Sequence, residues 1–287
     1  AVFGDMLIGE EGDPYPDGLL SNLSRQGFNA IWLPVYLRDL VESSVFPEFG
    51  RGGAARLRNL NELIYRAERY GLDVYVYVNE PQGMKDEFFE RHPQVRGHGK
   101  WDQYWAMCTS TSEVKTWIEE SMYRLFRAAP GLKGVIEISA SEKITSCYSR
   151  ADRKSINCPR CKERDPTDVV AEVLNLMAKG AKAAKPDAEM ICWTWSWHWY
   201  VEPNPQPELI SKLDASLVLM TDFERGIPIE VGGVAGSIDE YCLSRPGPSE
   251  RVIAHRSMSD ARDMKFMAKI QVSNTLECGF VPYIPVL

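Results

Sequence analysis

Apolar runs of strand length alternate with amphipathic stretches of helical period from one end of the chain to the other. The strand-like runs are 3–8, 28–35, 72–78, 134–139, 189–195, 216–221, 251–256 and 269–273. Between them, the stretch 57–70 carries Leu57, Leu60, Leu63, Ile64 and Ala67 at the spacing that gathers them on one helical face. The stretch 112–128 repeats that pattern behind Ser112 and Glu113, which suit a helix start, and 167–184 follows the start signal Asp165-Pro166. Shorter helices are expected at 17–26 and 260–267.

Eight strand runs with helices between them predict an α/β fold, a (β/α)8 TIM-type barrel, over a single domain spanning residues 1–287. The open doubly wound sheet is the competing architecture. It would carry a phosphate-binding glycine motif after a strand, and neither G-x-G-x-x-G nor G-x-x-x-x-G-K-[ST] occurs there. The glycines of 226–236 lack both spacings and read as a loop. No Pro/Gly/Ser linker divides the chain. No helix is visible after the eighth run. Either residues 280–287 close the barrel, or the barrel is incomplete at its C-terminal end because the sequence is a piece excised from a longer chain.

Charge narrows the partners. With 33 Lys and Arg against 40 Asp and Glu, the formal net charge is −7, which argues against a nucleic-acid or anionic-membrane surface. No apolar run approaches the ~20 residues that cross a bilayer. The first residues lack the basic and apolar segments of a secretion signal. Seven cysteines in a chain rich in core-forming sequence read as mostly reduced thiols. A cytoplasmic protein is the resulting expectation, with homo-oligomerisation left open.

In this kind of barrel the chemistry sits at the C-terminal ends of the strands. Those ends carry Glu10 and Glu11, then Tyr36, Arg38 and Asp39, then Asn79 and Glu80, then Ser141 and Glu142. Trp195, Trp197, His198 and Trp199 follow the fifth run, and Asp222, Glu224 and Arg225 the sixth. His255 and Arg256 end the seventh, and Glu277 follows the eighth. The opposite rim, with 69–71 and 185–187, looks like plain connections. Carboxylates, arginines and indoles on one rim suit sugars, whose C–H faces stack on indole and whose hydroxyls pair with charged groups.

Cleaving a glycosidic bond takes two carboxyl groups: one protonates the leaving oxygen, and the other attacks the sugar or activates water. Glu142 is the candidate acid, because a glutamate partly desolvated at a strand end is held protonated toward neutral pH. Its partner stays open among Glu224, Glu277, Asp222 and Glu80. The neighbouring positions of the fourth and sixth runs favour Glu224 or Asp222, and Glu277 alternatively holds sugar hydroxyls. For each, the competing role is a rim salt bridge with Arg225 or Arg256. In Trp193-Thr194-Trp195-Ser196-Trp197-His198-Trp199 the period of two puts the indoles on one face. Trp193 reads as packing, while Trp195, Trp197 and Trp199 are candidate sugar platforms. Arg38, Asp39, Glu80, Asp222 and His255 complete the expected binding set. Arg38, His255 and Arg256 either bind an acidic sugar or satisfy the carboxylates.

Cys158-Pro159-Arg160-Cys161 is half of a tetrahedral thiolate site. Cys147 lies in the same loop, and Cys108 precedes the helix before the fourth run. The four together would form a closed, structural Zn²⁺ site; the alternative is free or disulfide-bonded thiols.

The order F-N-A-I-W-L-P-V, N-L-N-E-L-I-Y-R-A-E-R-Y-G-L-D-V-Y-V-Y-V-N-E-P and G-V-I-E-I-S-A-S-E resembles the family 20 β-N-acetylhexosaminidase barrels and their relatives. That resemblance implies a strand-four Asp-Glu pair, with Glu as acid and Asp orienting the acetamido group that attacks internally. Glu142 matches the Glu, and Ser141 stands where the Asp would be. The departure speaks against substrate-assisted catalysis. N-T-L-E near the end is similar to that family's strand-eight W-x-E, which implies a hydroxyl-binding role for Glu277. The order Cys108, Glu142, Cys147, Cys158, Cys161 resembles the zinc cluster of family 42 β-galactosidases. The expected activity is a glycoside hydrolase acting on the end of a sugar chain. A carbohydrate-binding barrel without catalysis is the alternative that Ser141 keeps open.

Overall fold

The computed structural model describes residues 5–8, 12–139, 143–149, 156–195, 197, 204, 206–238 and 247–270. The chain enters through α1 (Asp17–Arg25) and β1 (Ala30–Pro34), followed by the short α2 (Leu37–Leu40) and the long α3 (Gly53–Glu68). β2 (Asp73–Val78), α4 (Asp86–Arg91), a hairpin of β3 (Arg96–Trp101) with β4 (Tyr104–Met107), and α5 (Ser112–Ala128) come next. Then follow β5 (Gly134–Glu137), α6 (Pro166–Ala184), β6 (Glu189–Trp193), α7 (Pro207–Lys212) and β7 (Val218–Asp222). A second hairpin, β8 (Pro228–Val231) with β9 (Val234–Ser237), precedes α8 (Glu250–Asp260) and β10 (Lys265–Lys269).

Six strands pair in parallel in the order β1-β2-β5-β6-β7-β10. Apart from the two inserted hairpins this is chain order, the arrangement of consecutive strands in a (β/α)8 barrel. The described residues thus form a partial barrel. Of the eight predicted runs, five match strands at or near their predicted positions, and the eighth starts four residues earlier, at Lys265. Residues 5–8 of the first run form a turn, and residues 1–4 and 271–273 lie outside the described residues.

The run 251–256 is corrected: it lies inside helix α8. Ser249 caps that helix, its side chain accepting from Val252 N, and Glu250 occupies the first turn. Those two residues form a helix-start signal that a six-residue apolar window conceals. The helix expected at 260–267 is likewise a turn followed by β10. There Ser259 O accepts from Met264 N as the helix ends.

Strand period sorts the side chains. Val74, Val76 and Val78, then Val135, then Met190 and Cys192, then Leu219 face outward and are buried against the helices. Tyr75, Ile136, Ile191, Trp193, Val218 and Met220 pack together on the inner face. The helical layer is tightest where α5 meets α6: a Cβ on Gly180 would sit 2.1 Å from Glu119 O. Glycine at 180 is what allows those two backbones to touch.

Candidate active site

The described strand ends divide by the same period into groups that face the barrel's interior and groups behind the rim. Glu80 and Glu137 lie behind it, on the side of Val78 and Val135. Both are buried, at 5% and 0% exposure. The backbone N–H of Glu80 donates to both carboxylate oxygens of Glu137, at 3.0 and 3.1 Å. Glu80 in turn accepts from Leu37 N at 3.0 Å and from Gln82 N at 2.9 Å. Two carboxyl groups thereby lash together the ends of β1, β2 and β5. Burial raises the pKa of each, and for Glu137 the nearby Glu80 charge raises it further. Nothing in the strand-end reading marked Glu137, because it sits inside the apolar run rather than after it. A charged residue in a buried strand was the available signal.

Facing inward are Trp193 and Asp222. Trp193 Nε1 donates to Asp222 Oδ1 at 3.0 Å, and Arg225 Nε donates to Oδ2 at 3.3 Å. Lys269 lies 4.9 Å from the Trp193 ring centroid, and Arg225 lies 5.7 Å from that of Trp195. Asp222 is fully buried and so forms the salt bridge that the sequence left as its competing role. Glu224 is 3% exposed, and its Oε2 has no hydrogen-bond partner among the described residues. Desolvation raises its pKa. Arg251, on α8, reaches the same region and donates to Thr194 O at 2.9 Å. Its pKa falls to about 10, chiefly through burial and then through Arg225.

Arg38 and Asp39 lie on α2, directly after β1. Arg38 contacts Met84 Sδ at 3.3 Å and lies over the Tyr36 ring. Tyr36, Arg38, Gln82, Gly83, Trp101, Tyr104, Lys143 and Ile144 enclose a cavity of about 170 Å³. Three expected positions come out differently. His255 ends no strand; it is on α8, fully buried, with Nδ1 2.8 Å from Thr221 Oγ1 on the outward face of β7. Trp197 is fully buried in the main core, while Trp193, expected to be packing, does pack against the inner-face cluster and stays partly exposed there. Arg256 pairs with Asp260 on its own helix. Glu142, Glu277, Ser141, Glu10, Glu11, His198 and Trp199 lie outside the described residues.

The cysteines converge as expected. Sγ atoms of Cys108, Cys147, Cys158 and Cys161 all lie within 4.8 Å of one another, and all four residues are buried. Cys108 Sγ is 3.6 Å from Cys158 Sγ and 3.7 Å from Cys161 Sγ. Zinc–sulfur bonds of about 2.3 Å in a tetrahedron place sulfurs roughly 3.8 Å apart, so this donor set fits a tetrahedral metal ion. The surroundings also suit thiolates: Arg160 Nε donates to Cys108 Sγ at 3.2 Å and His98 N to Cys147 Sγ at 3.3 Å. Hydrogen bonds from Cys147 and Cys161 hold Cys108 far below the usual thiol range, and one from Cys147 pushes Cys158 down to about 6. Hydrogen bonds to the neighbouring thiols push Cys147 far above that range, and one to Cys108 pushes Cys161 up to about 12. A Cβ on Gly97 would lie 2.8 Å from Cys147 Sγ, so only glycine leaves that thiol its place. None of the described cysteines forms a disulfide.

No protein-family model and no curated protein matches the sequence. Solved structures do match in fold. One is a family 138 glycoside hydrolase targeting pectin rhamnogalacturonan II, with TM-score 0.54 and 11% identity, covering 88% of this chain and 25% of that one. Another is a pneumococcal exo-β-D-N-acetylglucosaminidase, StrH, with tandem family 20 catalytic modules, at TM-score 0.53 and 12% identity. It covers 87% of this chain and 59% of its own. A further structure of the pneumococcal virulence factor StrH, concerned with N-glycan recognition and hydrolysis, gives TM-score 0.51 at 12% identity over the same shares. The chain therefore has the fold of glycoside hydrolase barrels and spans a quarter to three-fifths of the length of these neighbours. None of the three is described as a family 42 enzyme, so the cysteine cluster rests on its own geometry.

Proposed function

We propose that this chain is the catalytic barrel of a glycoside hydrolase that works by carboxylate general acid/base chemistry on the end of an oligosaccharide or glycoconjugate. The observation that carries the reading is the meeting, at the ends of β6, β7 and β10, of an inward indole, a buried acidic pair and cations. Trp193 offers a ring face, and Asp222 and Glu224 supply carboxyl groups. An incompletely paired carboxyl such as Glu224 is costly to keep in a fold unless it serves the chemistry.

In this reading Glu142 donates its proton to the leaving glycosidic oxygen as the bond to the anomeric carbon breaks. Glu224, or Glu277 in its place, attacks that carbon or takes a proton from the attacking water. Arg38, Asp39 and Trp195 hold the sugar, with Trp193 as its stacking platform, and the buried Asp222 positions that indole by accepting from its Nε1. Glu80 positions the rim from behind, and Trp197 and His255 shape it from within the core. A small, partly open cavity beside the rim suits a chain end.

The cysteine cluster would hold Zn²⁺. Four thiolates leave no open coordination position, so the ion would stiffen the segment 143–161 that follows Glu142 instead of activating water.

A panel of aryl glycosides, assayed with the wild type and Glu142→Gln, tests the reading. Turnover by the wild type and its loss in the variant is the expected result. Turnover that survives the substitution would overturn the role of Glu142. Sugar binding without turnover of any glycoside would make the chain a carbohydrate-binding barrel.

A further inference from the structure

The strands run β1-β2-β5-β6-β7-β10 around the partial barrel, and groups suited to sugars gather at two places along their C-terminal ends. Trp193, Asp222 and Glu224 stand at the ends of β6 and β7. The second place is the cavity lined by Tyr36 and Arg38 after β1, Gln82 after β2, Tyr104 on β4 and Ile144 after β5. The end of β5 lies between the two places, because β2 and β6 are its neighbours in the sheet. The same strand leads in sequence to Glu142.

The cavity has the parts that hold one sugar unit. Tyr36 is 49% exposed and Tyr104 partly exposed, so each offers a ring to the C–H face of a pyranose. Arg38 lies 5.2 Å from the Tyr36 ring centroid and donates to Met84 Sδ at 3.3 Å, a weak acceptor that an oxygen ligand would outmatch. The side-chain Oε1 of Gln82 has no hydrogen-bond partner among the described residues, so its amide turns toward a ligand without that oxygen giving up a bond. A guanidinium donor beside an amide that both donates and accepts matches neighbouring sugar hydroxyls, which also do both. Lys143 and Trp101 complete the lining; Lys143 Nζ is 5.4 Å from the Trp101 ring centroid, and the two serve here as wall.

The walls are pinned to one another. Gly83 N donates to Ile144 O at 2.7 Å, and a Cβ on Gly83 would come within 3.0 Å of Trp105 O and 3.1 Å of Ile144 Cβ. Met84 and Trp105 exchange backbone hydrogen bonds at 2.8 and 2.9 Å, which clamps the β3–β4 hairpin, and Tyr104 with it, to the segment after β2. Glu80 accepts from both Leu37 N and Gln82 N, which ties the wall carrying Tyr36 and Arg38 to the one carrying Gln82. Contributions from three strand ends and a hairpin are thus held in one shape before any ligand arrives.

We infer that this cavity is a second sugar subsite, holding the unit next to the one that stacks on Trp193, so that the linkage between the two crosses the end of β5. Arg38 and Gln82 bind hydroxyls of that unit, and Tyr36 and Tyr104 bind its ring. The binding set is thereby divided: Arg38 serves the unit in the cavity and Trp193 serves its neighbour. The ligand is a chain of at least two sugar units, not a lone monosaccharide. The inference rests on the glycosidase reading for the bond that is cut at that crossing, but not for the two-unit binding itself.

Isothermal titration of the intact chain with glucose, galactose and N-acetylglucosamine, and with a thio-linked disaccharide of each, tests it without turnover, because sulfur in place of the linking oxygen blocks cleavage. At least one disaccharide should bind about ten-fold or more tightly than its monosaccharide. Tyr104→Ala should remove most of that gain, and Arg38→Gln, on a different wall, should do the same should the first variant fail to fold. Equal affinity for disaccharides and monosaccharides across the panel, or a gain unchanged in a folded variant, would overturn the subsite. Turnover of aryl monosaccharides with no disaccharide gain would refute the subsite and leave the glycosidase standing. A disaccharide gain that Tyr104→Ala removes, with no turnover of any glycoside, would do the reverse.

Discussion

Glu137 gives the sharpest test of how this rim is built. It is fully buried, and its pKa is raised well above the ordinary 4.5 by burial and by Glu80. A carboxyl with a raised folded pKa holds its proton in the folded state over a pH range where the unfolded chain has lost it. Its stabilising contribution is therefore complete below pH 4.5 and is lost as pH rises toward the folded value. Within that window each pH unit costs the wild type about 1.4 kcal/mol for this one proton. Glu137→Gln keeps the shape and one oxygen to accept from Glu80 N, but adds an N–H pair whose burial without acceptors costs about 1–3 kcal/mol. The variant should be the less stable protein at pH 4.5, and the curves should cross within about two pH units above that. Urea unfolding at half-unit steps from pH 4.5 to 8, read by tryptophan fluorescence, measures the difference directly. A gap between the two proteins that stays constant over that range would refute the account, because Glu137 would then carry the same charge in both states.

Asp222→Ala should destabilise the chain by about 3–5 kcal/mol, because Arg225 and Arg251 stay buried beside it without their shared counter-charge; denaturant unfolding checks this. Gly180→Ala forces a methyl group into Glu119 O and should cost about 1–3 kcal/mol, read as a lower Tm with α5 and α6 pushed apart. Protein purified without chelator should carry one zinc per chain. Stripping the zinc, or replacing Cys158 by Ser, should lower the Tm by several degrees, and metal analysis finding no zinc would remove the site. Wild-type turnover of an aryl glycoside, lost in Glu142→Gln, completes the set.

The sequence by itself determined most of the elements, because a period of 3.6 or 2 in apolar residues records locally which face must leave water. It carried β1, β2, β5, β6 and β7, the long helices α3, α5 and α6, and the cysteine order that the fold gathers into one cluster. It misassigned 251–256, where a cap at Ser249 outweighed a short apolar run. Tertiary structure alone decided which strand-end groups share a space. Asp222 and Glu80 look alike after their strands, yet one faces the interior beside Trp193 and the other is buried behind the rim with Glu137. Trp197, expected on the rim, is buried in the main core for the same reason. Local period specifies an alternation, but which side of it is core depends on what packs there from far along the chain. The hollow between Arg38 and Lys143 is likewise a product of residues 36, 82, 101, 104 and 143 meeting, and no window of sequence contains it.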